Sequence, residues 1–164
     1  MHLQKITPCL WFDTQAEEAA QFYCSIFRNS RILRISRYGE AGHEIHGMPA
    51  GSVLTVMFEL DGLAFTALNG GPVFKFNEAI SLQVNCDTQE ELDHYWDRLS
   101  AGGDETAQQC GWLKDRYGVS WQIVPTVLPD MMTDADPRKT DLVMTALLKM
   151  KKLDIAELKR AYEG

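Results

Sequence analysis

Gln122 is the side chain with the clearest potential for binding chemistry. The surrounding segment 110–125, CGWLKDRYGVSWQIVP, is rich in aromatic and β-branched residues, which predicts two strands. Gly118 can take the positive φ of the turn between them. Side chains alternate along a strand, so Gln122 is predicted to point away from the side shared by Trp121 and Ile123. If that side faces a cavity, the amide of Gln122 is a ligand-binding group.

Further polar candidates lie at other predicted strand positions. Ser81 and Gln83 alternate with Leu82 and Val84, which predicts one polar face on that strand. If the polar face lines a pocket, both side chains can bond a ligand. Asn69 ends another strand and either orients a ligand or forms a local turn, and its sequence neighbours favour the turn.

Two tryptophans and one cysteine complete the candidate pocket. Trp11 and Trp112 can line an apolar pocket or belong to the ordinary core, because aromatic residues dominate both settings. Cys9 is a nucleophile only if its thiolate is stabilised, and no base is evident near it, so a packed thiol is favoured. The residues predicted to bind a small molecule are Cys9, Trp11, Asn69, Ser81, Gln83, Trp112 and Gln122.

The histidines and the turn charges offer weaker candidates. His43 and His46 lie in the glycine-rich segment 39–51, which predicts a solvated loop or, alternatively, a lid that carries an acid/base imidazole. His94 is expected to be exposed on a helix, and His2 is terminal. The pair Asp115-Arg116 adjoins the predicted hairpin turn and is expected to lie at the surface.

Composition restricts the class of protein. The chain has 164 residues, 45% of them hydrophobic, which suits one compact domain. A net charge of −7 argues against a nucleic-acid partner and suits a cationic ligand. No apolar run approaches the roughly 18 residues of a membrane span, and we expect no membrane partner. The first residues lack a signal-peptide core, and the four cysteines contain no CxxC, so we expect reduced thiols and a cytoplasmic protein.

The first half of the chain contains the elements that position Cys9, Trp11 and Asn69. Thr14 and Glu17 predict a capping box that opens a helix, which runs amphipathically to about Phe27. Pro8 places the preceding strand at a sheet edge or a bulge, and Asp61-Gly62 is a strong hairpin signal. The predicted strands cover 6–12, 31–38, 53–60 and 63–68.

The second half repeats this pattern. A strand over 79–86 leads into the tripeptide Asp-Thr-Gln, as the first strand does, and Thr88 and Glu91 predict a second capping box. The helix ends at 101–103, and three short strands fit between 105 and 124. Two successive βαβββ patterns indicate an internal repeat.

The tail is helical. Asp136-Pro137 begins one helix, and Leu153 to Leu158 combines a capping box with a hydrophobic staple at the start of another. The apolar stripe of the first helix must be buried on the sheet or on a second subunit. Its members are Leu142, Val143, Ala146, Leu147 and Met150.

Four segments make the chain similar to a known family. They are ITPCLWFDTQAEEAAQFY, ALNGGP, ISLQVNCDTQEELD and CGWLKDRYGVSWQIVP, and the tail MTALLKMKKLDIAELKRAY is similar as well. Together they resemble the PhnB-like branch of the glyoxalase/bleomycin-resistance (vicinal oxygen chelate) superfamily, often described as 3-demethylubiquinone-9 3-methyltransferase. The resemblance covers nearly the whole chain.

The resemblance implies an α+β fold in which paired βαβββ modules form a cup that binds small molecules. We expect a glyoxalase-like domain over 1–128, with modules of about 1–75 and 76–128, and a C-terminal helical extension over 129–164. A homodimer is also implied.

Metal-using members of the superfamily take one ligand from the first and last strand of each module. By resemblance these positions fall within 6–9, on Phe65 or Thr66, near Ile80 or Ser81, and on Gln122. A neutral amide binds a divalent ion weakly, so we expect no metal and no cofactor.

Three functions are implied by the resemblance. The first is a small-molecule-binding protein or metal-independent enzyme, and the second is a bleomycin-resistance-like sequestering module. The third is a metal-dependent isomerase or lyase, or the methyltransferase of the family description. A typical methyltransferase has a glycine-rich loop after its first strand, whereas here Asp13-Thr14 comes next.

Overall fold

The computed structural model describes residues 4–164 and divides the chain into two compact units. The N-terminal unit ends at Phe76 and the C-terminal unit begins at Asn77.

The N-terminal unit is a four-stranded sheet with one long helix. Its strand order is β1-β4-β3-β2, with β1 parallel to β4 and the other pairs antiparallel. The predicted hairpin is confirmed: Asp61 and Gly62 both have positive φ, 45° and 81°, as a type I′ turn requires. The elements are β1 (Cys9–Phe12), α1 (Ala16–Ile26), β2 (Arg31–Arg37), α2 (His43–His46), β3 (Val53–Leu60) and β4 (Leu63–Asn69).

Small residues on α1 allow that helix to approach the sheet closely. Its buried residues include Ala16, Ala19 and Ala20, and Tyr23 stacks on Phe58 with ring centroids 6.3 Å apart. Since α1 covers one face of this sheet, side chains of opposite parity lie on the other.

Two predictions for this unit need correction. The segment 39–51 is not simply a loop, because it contains the helical turn α2, which begins and ends at left-handed Gly42 and Gly47. The predicted Thr14–Glu17 capping box is absent from α1, whose N-cap residue is Gln15 with no side-chain cap of its own. The edge position inferred from Pro8 is confirmed, since β1 lies at one edge of its sheet.

The C-terminal unit pairs its first and last strands in the same parallel manner. The strand order is β5-β7-β6, with β5 parallel to β7 and β6 antiparallel to β7. The elements are β5 (Leu82–Cys86), α3 (Gln89–Ser100), β6 (Trp112–Lys114), β7 (Ser120–Pro125), α4 (Leu128–Met132), α5 (Pro137–Leu147) and α6 (Ile155–Glu163).

The second predicted capping box is confirmed in its Thr88 half, whereas Glu91 bonds the residue before the N-cap. The Thr88 hydroxyl accepts from the Glu91 amide at 3.2 Å, and the Glu91 carboxylate accepts from the Asp87 amide at 2.9 Å.

The sequence predicted three strands between 105 and 124, but the structure has two there, β6 and β7. The residues Glu105–Ala107 form a 3₁₀ turn, which Asp104 holds by accepting from the amide and the hydroxyl of Thr106. Such local side-chain bonds compete with strand pairing. The second sheet therefore has no counterpart of β2.

The tail packs within the C-terminal unit. Its predicted caps are confirmed, since Asp136 accepts from the amide of Arg138 and Asp154 from that of Glu157. The amides of Cys110 and Gly111 donate to the carbonyls of residues 150 and 151, at 2.9 and 2.8 Å.

Of the predicted apolar stripe only Val143 and Met150 are buried. The additional helix α4 was not predicted.

Across residues 4–164, no helix combines the length and the apolar character needed to cross a membrane.

Candidate functional site

In the C-terminal unit, α3 packs on one face of the sheet, and no other α-helix within residues 77–164 makes comparable contacts with the strands. Leu113, Trp121 and Ile123 are buried on the α3 side together with Val84 and Cys86. Alternation assigns the intervening side chains to the opposite face, here called the helix-free face. The predicted parity of the last strand is thus confirmed, and Gln122 lies on the helix-free face.

Three candidate residues form one row across this face. Gln83 is the register partner of Gln122 on β5, and Trp112 is its partner on β6. Side chains at directly opposed positions are about 5 Å apart at Cβ, close enough to contact one ligand. We call Gln83, Gln122 and Trp112 the amide row.

Ser81 extends the amide row. The Gln122 side-chain nitrogen donates to the Ser81 hydroxyl at 2.8 Å, and the Gln83 side-chain nitrogen donates to the Asn85 side-chain oxygen at 2.8 Å. No group within residues 4–164 donates to the Gln122 side-chain oxygen, which leaves it as an acceptor. All four candidates of this unit therefore share one face, although binding by them remains a prediction.

Sequence reasoning missed two further residues on this face. Lys114 and Ser120 are register partners in the row next to the amide row. The Lys114 ammonium pairs with the carboxylate of Glu78, and this hydrogen bond holds the pKa of Glu78 below its ordinary value. Ser120 is 2% exposed, and its hydroxyl has no partner within the described residues. The sequence signal for Ser120 was the alternation of β7, which places Ser120 on the same face as Gln122.

A buried carboxylate fixes the turn between β6 and β7. One Asp115 oxygen accepts from the amides of Tyr117 and Val119 at 2.8 and 3.0 Å, and the other accepts from the Trp121 indole at 2.8 Å. Gly118 in this turn has φ 84°. The expectation that Asp115 lies at the surface was wrong, because the residue is 2% exposed. Its bonds set the register on which the amide row depends.

The N-terminal unit places Trp11 and Cys9 on the face of its sheet that α1 leaves uncovered. Their register partners on β4 are Leu68 and Thr66, which alternate with the buried residues of that strand. The Trp11 indole donates to the carbonyl of residue 71 at 2.9 Å and meets the Phe74 ring at a centroid distance of 4.9 Å. Trp11 is half-buried, so part of this surface is open to contact.

Cys9 is exposed, which differs from the packed thiol favoured by the sequence. Desolvation raises the pKa of its thiol above the ordinary value of 9.0. A nucleophilic cysteine needs the opposite shift.

Asn69 lies on the opposite side of the N-terminal sheet. It is 4% exposed, its side-chain oxygen accepts from the Ala16 amide at 2.8 Å, and its nitrogen donates to the Val53 carbonyl at 3.1 Å. Asn69 therefore caps α1 in place of the predicted capping box. Both polar atoms are engaged within the fold, so we do not include Asn69 in the candidate site.

Of the histidines, His46 has a structural role. The His46 Nδ1 accepts from the Met48 amide at 3.0 Å, and its Nε2 lies 3.2 Å from the Ala41 carbonyl. Both ring nitrogens thus hold the turn that contains α2. His43 and His94 are exposed, and His2 lies outside the described residues.

The side chains at the superfamily's metal positions do not fit a divalent ion. The sequence left either Phe65 or Thr66 as the ligand position on β4. Thr66 lies on the uncovered face, whereas Phe65 is buried beside α1. The N-terminal unit thus offers a hydroxyl and the Cys9 thiol with its raised pKa, and the C-terminal unit offers Ser81 and Gln122. Divalent ions in such sites favour imidazole, carboxylate or thiolate donors. Residues 4–164 also contain no grouping of three or more His, Cys, Asp or Glu suited to a metal.

Comparison with known proteins points to one family. Residues 4–124 match the family described as 3-demethylubiquinone-9 3-methyltransferase. A similar structure is that of a putative 3-demethylubiquinone-9 3-methyltransferase, PhnB protein, from Bacillus cereus. It is 38% identical with a TM-score of 0.64, and the match covers 75% of this chain and all of that one.

More distant structures share the fold. Protein PA1353 from Pseudomonas aeruginosa is 20% identical with a TM-score of 0.57 over 75% of this chain and 98% of its own. The fosfomycin resistance protein FosX from Listeria monocytogenes is 16% identical with a TM-score of 0.52 over 82% of this chain and 100% of its own. No curated protein matches the sequence.

Proposed function

The chain belongs to the family described as 3-demethylubiquinone-9 3-methyltransferase, within the glyoxalase superfamily, and from that premise we propose that it binds a small organic molecule without a metal. The observation that supports this proposal most is the amide row with Ser81 beside it, on a sheet face that no helix covers.

The chemistry of the row suits a ligand that has both a ring and hydrogen-bonding groups. The Trp112 indole offers an aromatic surface for stacking. The Gln122 oxygen can accept a hydrogen bond, and the Ser81 hydroxyl, which already accepts from Gln122, can donate its proton. Such pockets combine an apolar surface with a few polar groups that fix orientation.

Trp11 and Phe74 form a second candidate surface for apolar groups, in the N-terminal unit. We keep Trp11 and Cys9 as predicted ligand contacts, to be tested separately from the amide row.

The methyltransferase of the family description receives no support from the glycines of this chain. Gly70 and Gly71 come after the end of β4 and do not open a helix. A Cβ on Gly70 would lie 2.1 Å from the Trp11 ring, so this glycine accommodates an aromatic side chain. We therefore assign no step to S-adenosylmethionine.

The same site serves either a metal-independent enzyme or a sequestering module of the bleomycin-resistance type. Only the enzyme would convert the bound ligand, so product formation would distinguish it from the sequestering module. We also propose a cytoplasmic homodimer. Its supports are the resemblance to the superfamily and the four cysteines, which are free of disulfides.

Native mass spectrometry with elemental analysis tests these proposals on one purified sample. We expect a metal-free dimer that retains a small-molecule mass. A stoichiometric divalent metal would contradict binding without a metal, and a monomer would contradict the dimer.

Removal of the central amide tests the site itself. In Gln122→Leu the ligand loses a hydrogen-bond acceptor, so we expect retained ligand or measured affinity to fall by about tenfold. Gln21→Leu makes the same chemical change on an exposed turn of α1 and should leave binding unchanged. Equal binding by both variants would show that the ligand lies elsewhere.

A further inference from the structure

The row beside the amide row brings a cation and a buried hydroxyl together. Lys114 and Ser120 occupy directly opposed positions on β6 and β7, on the same helix-free face as Gln122. The proposed function uses neither side chain.

Ser120 is unusual because its polar group is unsatisfied. The residue is 2% exposed, and its hydroxyl is the buried side-chain polar atom of residues 4–164 that lacks a hydrogen-bond partner. A buried hydroxyl without a partner lowers stability, because it has lost its bonds to water and gained none in the protein. An acceptor atom placed between Lys114 and Ser120 would remove this cost.

A carboxylate of the chain already contacts Lys114. Glu78 pairs with the ammonium, although 60% of the Glu78 side chain is exposed and residues 77–80 lie outside regular elements. Exposed ion pairs of this kind are weak because water screens both charges, so an incoming anion can replace Glu78.

Asp104 is the other acidic group that acts on Lys114 through its charge. Its carboxylate accepts from the amide and hydroxyl of Thr106, which fixes it in the 3₁₀ turn. Asp104 therefore lowers the affinity for an anion without occupying the position beside Ser120.

We propose that the ligand carries an anionic oxygen group, a carboxylate or a phosphate, which takes the place of Glu78 on Lys114 and accepts a hydrogen bond from Ser120. The inference rests on the proposed function, because it adds a charged group to a ligand already expected to contact the amide row. An anionic ligand also differs from the cationic ligand that the net charge of −7 suggested.

Three simple probes test the inference on the full chain. Benzoate and phenyl phosphate each join an aromatic ring for Trp112 to an anion, and benzyl alcohol offers the ring with a neutral hydroxyl. Their affinities are measured by titration of the tryptophan indole signals in NMR spectra, with Trp112→Phe identifying the Trp112 signal.

We expect at least one anionic probe to bind more tightly than benzyl alcohol, and the stronger of the two identifies the group. Lys114→Met should weaken that probe by about tenfold or more and leave benzyl alcohol unchanged. Glu78→Gln should strengthen it about three- to fivefold, since the internal competitor is neutralised. Glu90→Gln, the same change on an exposed position of α3, should have no effect.

Ser120→Ala is the second, charge-neutral test and should weaken the anionic probe by about threefold to tenfold. Benzyl alcohol binding as tightly as both anions, with no response to Lys114→Met or Glu78→Gln, would overturn the inference and leave the proposed function intact. If no probe moves the Trp112 signal, both the inference and the proposed function at this face fail.

Discussion

At the scale of single residues, Asp115 is the side chain on which the geometry of the amide row depends. Its carboxylate accepts hydrogen bonds from two turn amides and from the Trp121 indole. Asparagine has the same shape, but its NH₂ group would face one of these donors.

Asp115→Asn is therefore expected to destabilise the protein by about 2–4 kcal/mol, because a buried donor loses its acceptor. Urea unfolding measures this free energy. Asp130→Asn, an exposed position, should change stability by less than about 0.5 kcal/mol. Combining Asp115→Asn with Trp121→Phe should cost less than the sum of the single changes, and strict additivity would contradict the assigned indole bond.

The buried thiol of Cys86 is expected to make the free energy of unfolding decrease at alkaline pH. Burial, together with the smaller effects of the nearby Glu91 and Asp87, raises the pKa of its thiol from 9.0 to about 12. The folded protein thus keeps the thiol neutral where the unfolded chain ionises it, so stability present below pH 9 is lost as the pH rises toward 12.

The expected loss from this group is at most about 1.4 kcal/mol per pH unit, the value for one proton. It is measured as the difference in unfolding free energy between the wild type and Cys86→Ala from pH 8 to 10.5. The variant should decline less steeply. Parallel profiles would show that the thiol is not protected in the folded state.

At the scale of elements, α1 is capped by a residue that is distant in sequence. Asn69 ends β4, yet its side chain accepts from the first amide of α1 and donates to the carbonyl of Val53. The Tyr38 hydroxyl in turn donates to the Asn69 carbonyl at 2.6 Å. This residue ties the helix to the sheet.

Asn69→Ala should lower the free energy of unfolding by about 1–3 kcal/mol, since a helix cap and a second buried bond are lost. Thr14→Ala, which removes the cap expected from the sequence, should cost less than about 0.5 kcal/mol. Chemical denaturation of both variants decides between the two caps, and a larger cost for Thr14→Ala would reverse the assignment.

The errors of sequence reasoning have two causes, a distant partner that replaces a local cap and a local side-chain bond that prevents strand pairing. Thr14 and Glu17 have the spacing of a capping box, and no local pattern shows that Asn69 replaces them. Asp104 and Thr106 satisfy each other locally and convert a predicted strand into a 3₁₀ turn. Elements with strong local signals, such as the Asp61-Gly62 hairpin, were predicted correctly.

At the scale of the whole molecule, charge is a poor guide to the ligand. The chain carries a net charge of −7, yet the helix-free face of the C-terminal unit includes the cation Lys114, which pairs with the exposed Glu78. Binding depends on the charges that contact the ligand, whereas the net charge governs solubility and long-range steering.

Most residues of the candidate site were named from the sequence, whereas their arrangement was not. Alternation identified Gln122, Gln83 and Ser81 as polar strand residues, but the sequence left open which face they share. The pairing register answers that question for the C-terminal unit, because Gln83, Gln122 and Trp112 align on adjacent strands. Alternation gives Ser120 the parity of Gln122, but only the structure shows that its buried hydroxyl lacks a hydrogen-bond partner within the described residues.

The docking of the tail also determines when the C-terminal unit can complete its hydrogen bonds during synthesis. The Gln89 side chain on α3 bonds the carbonyl of Leu153 and the amide of Ile155, and the amides of Cys110 and Gly111 depend on carbonyls at 150 and 151. The C-terminal unit therefore cannot complete its bonds on the ribosome until residues 150–155 have emerged. The residues of the N-terminal unit, which ends at Phe76, emerge before those of the tail, so contacts within that unit can begin to form first.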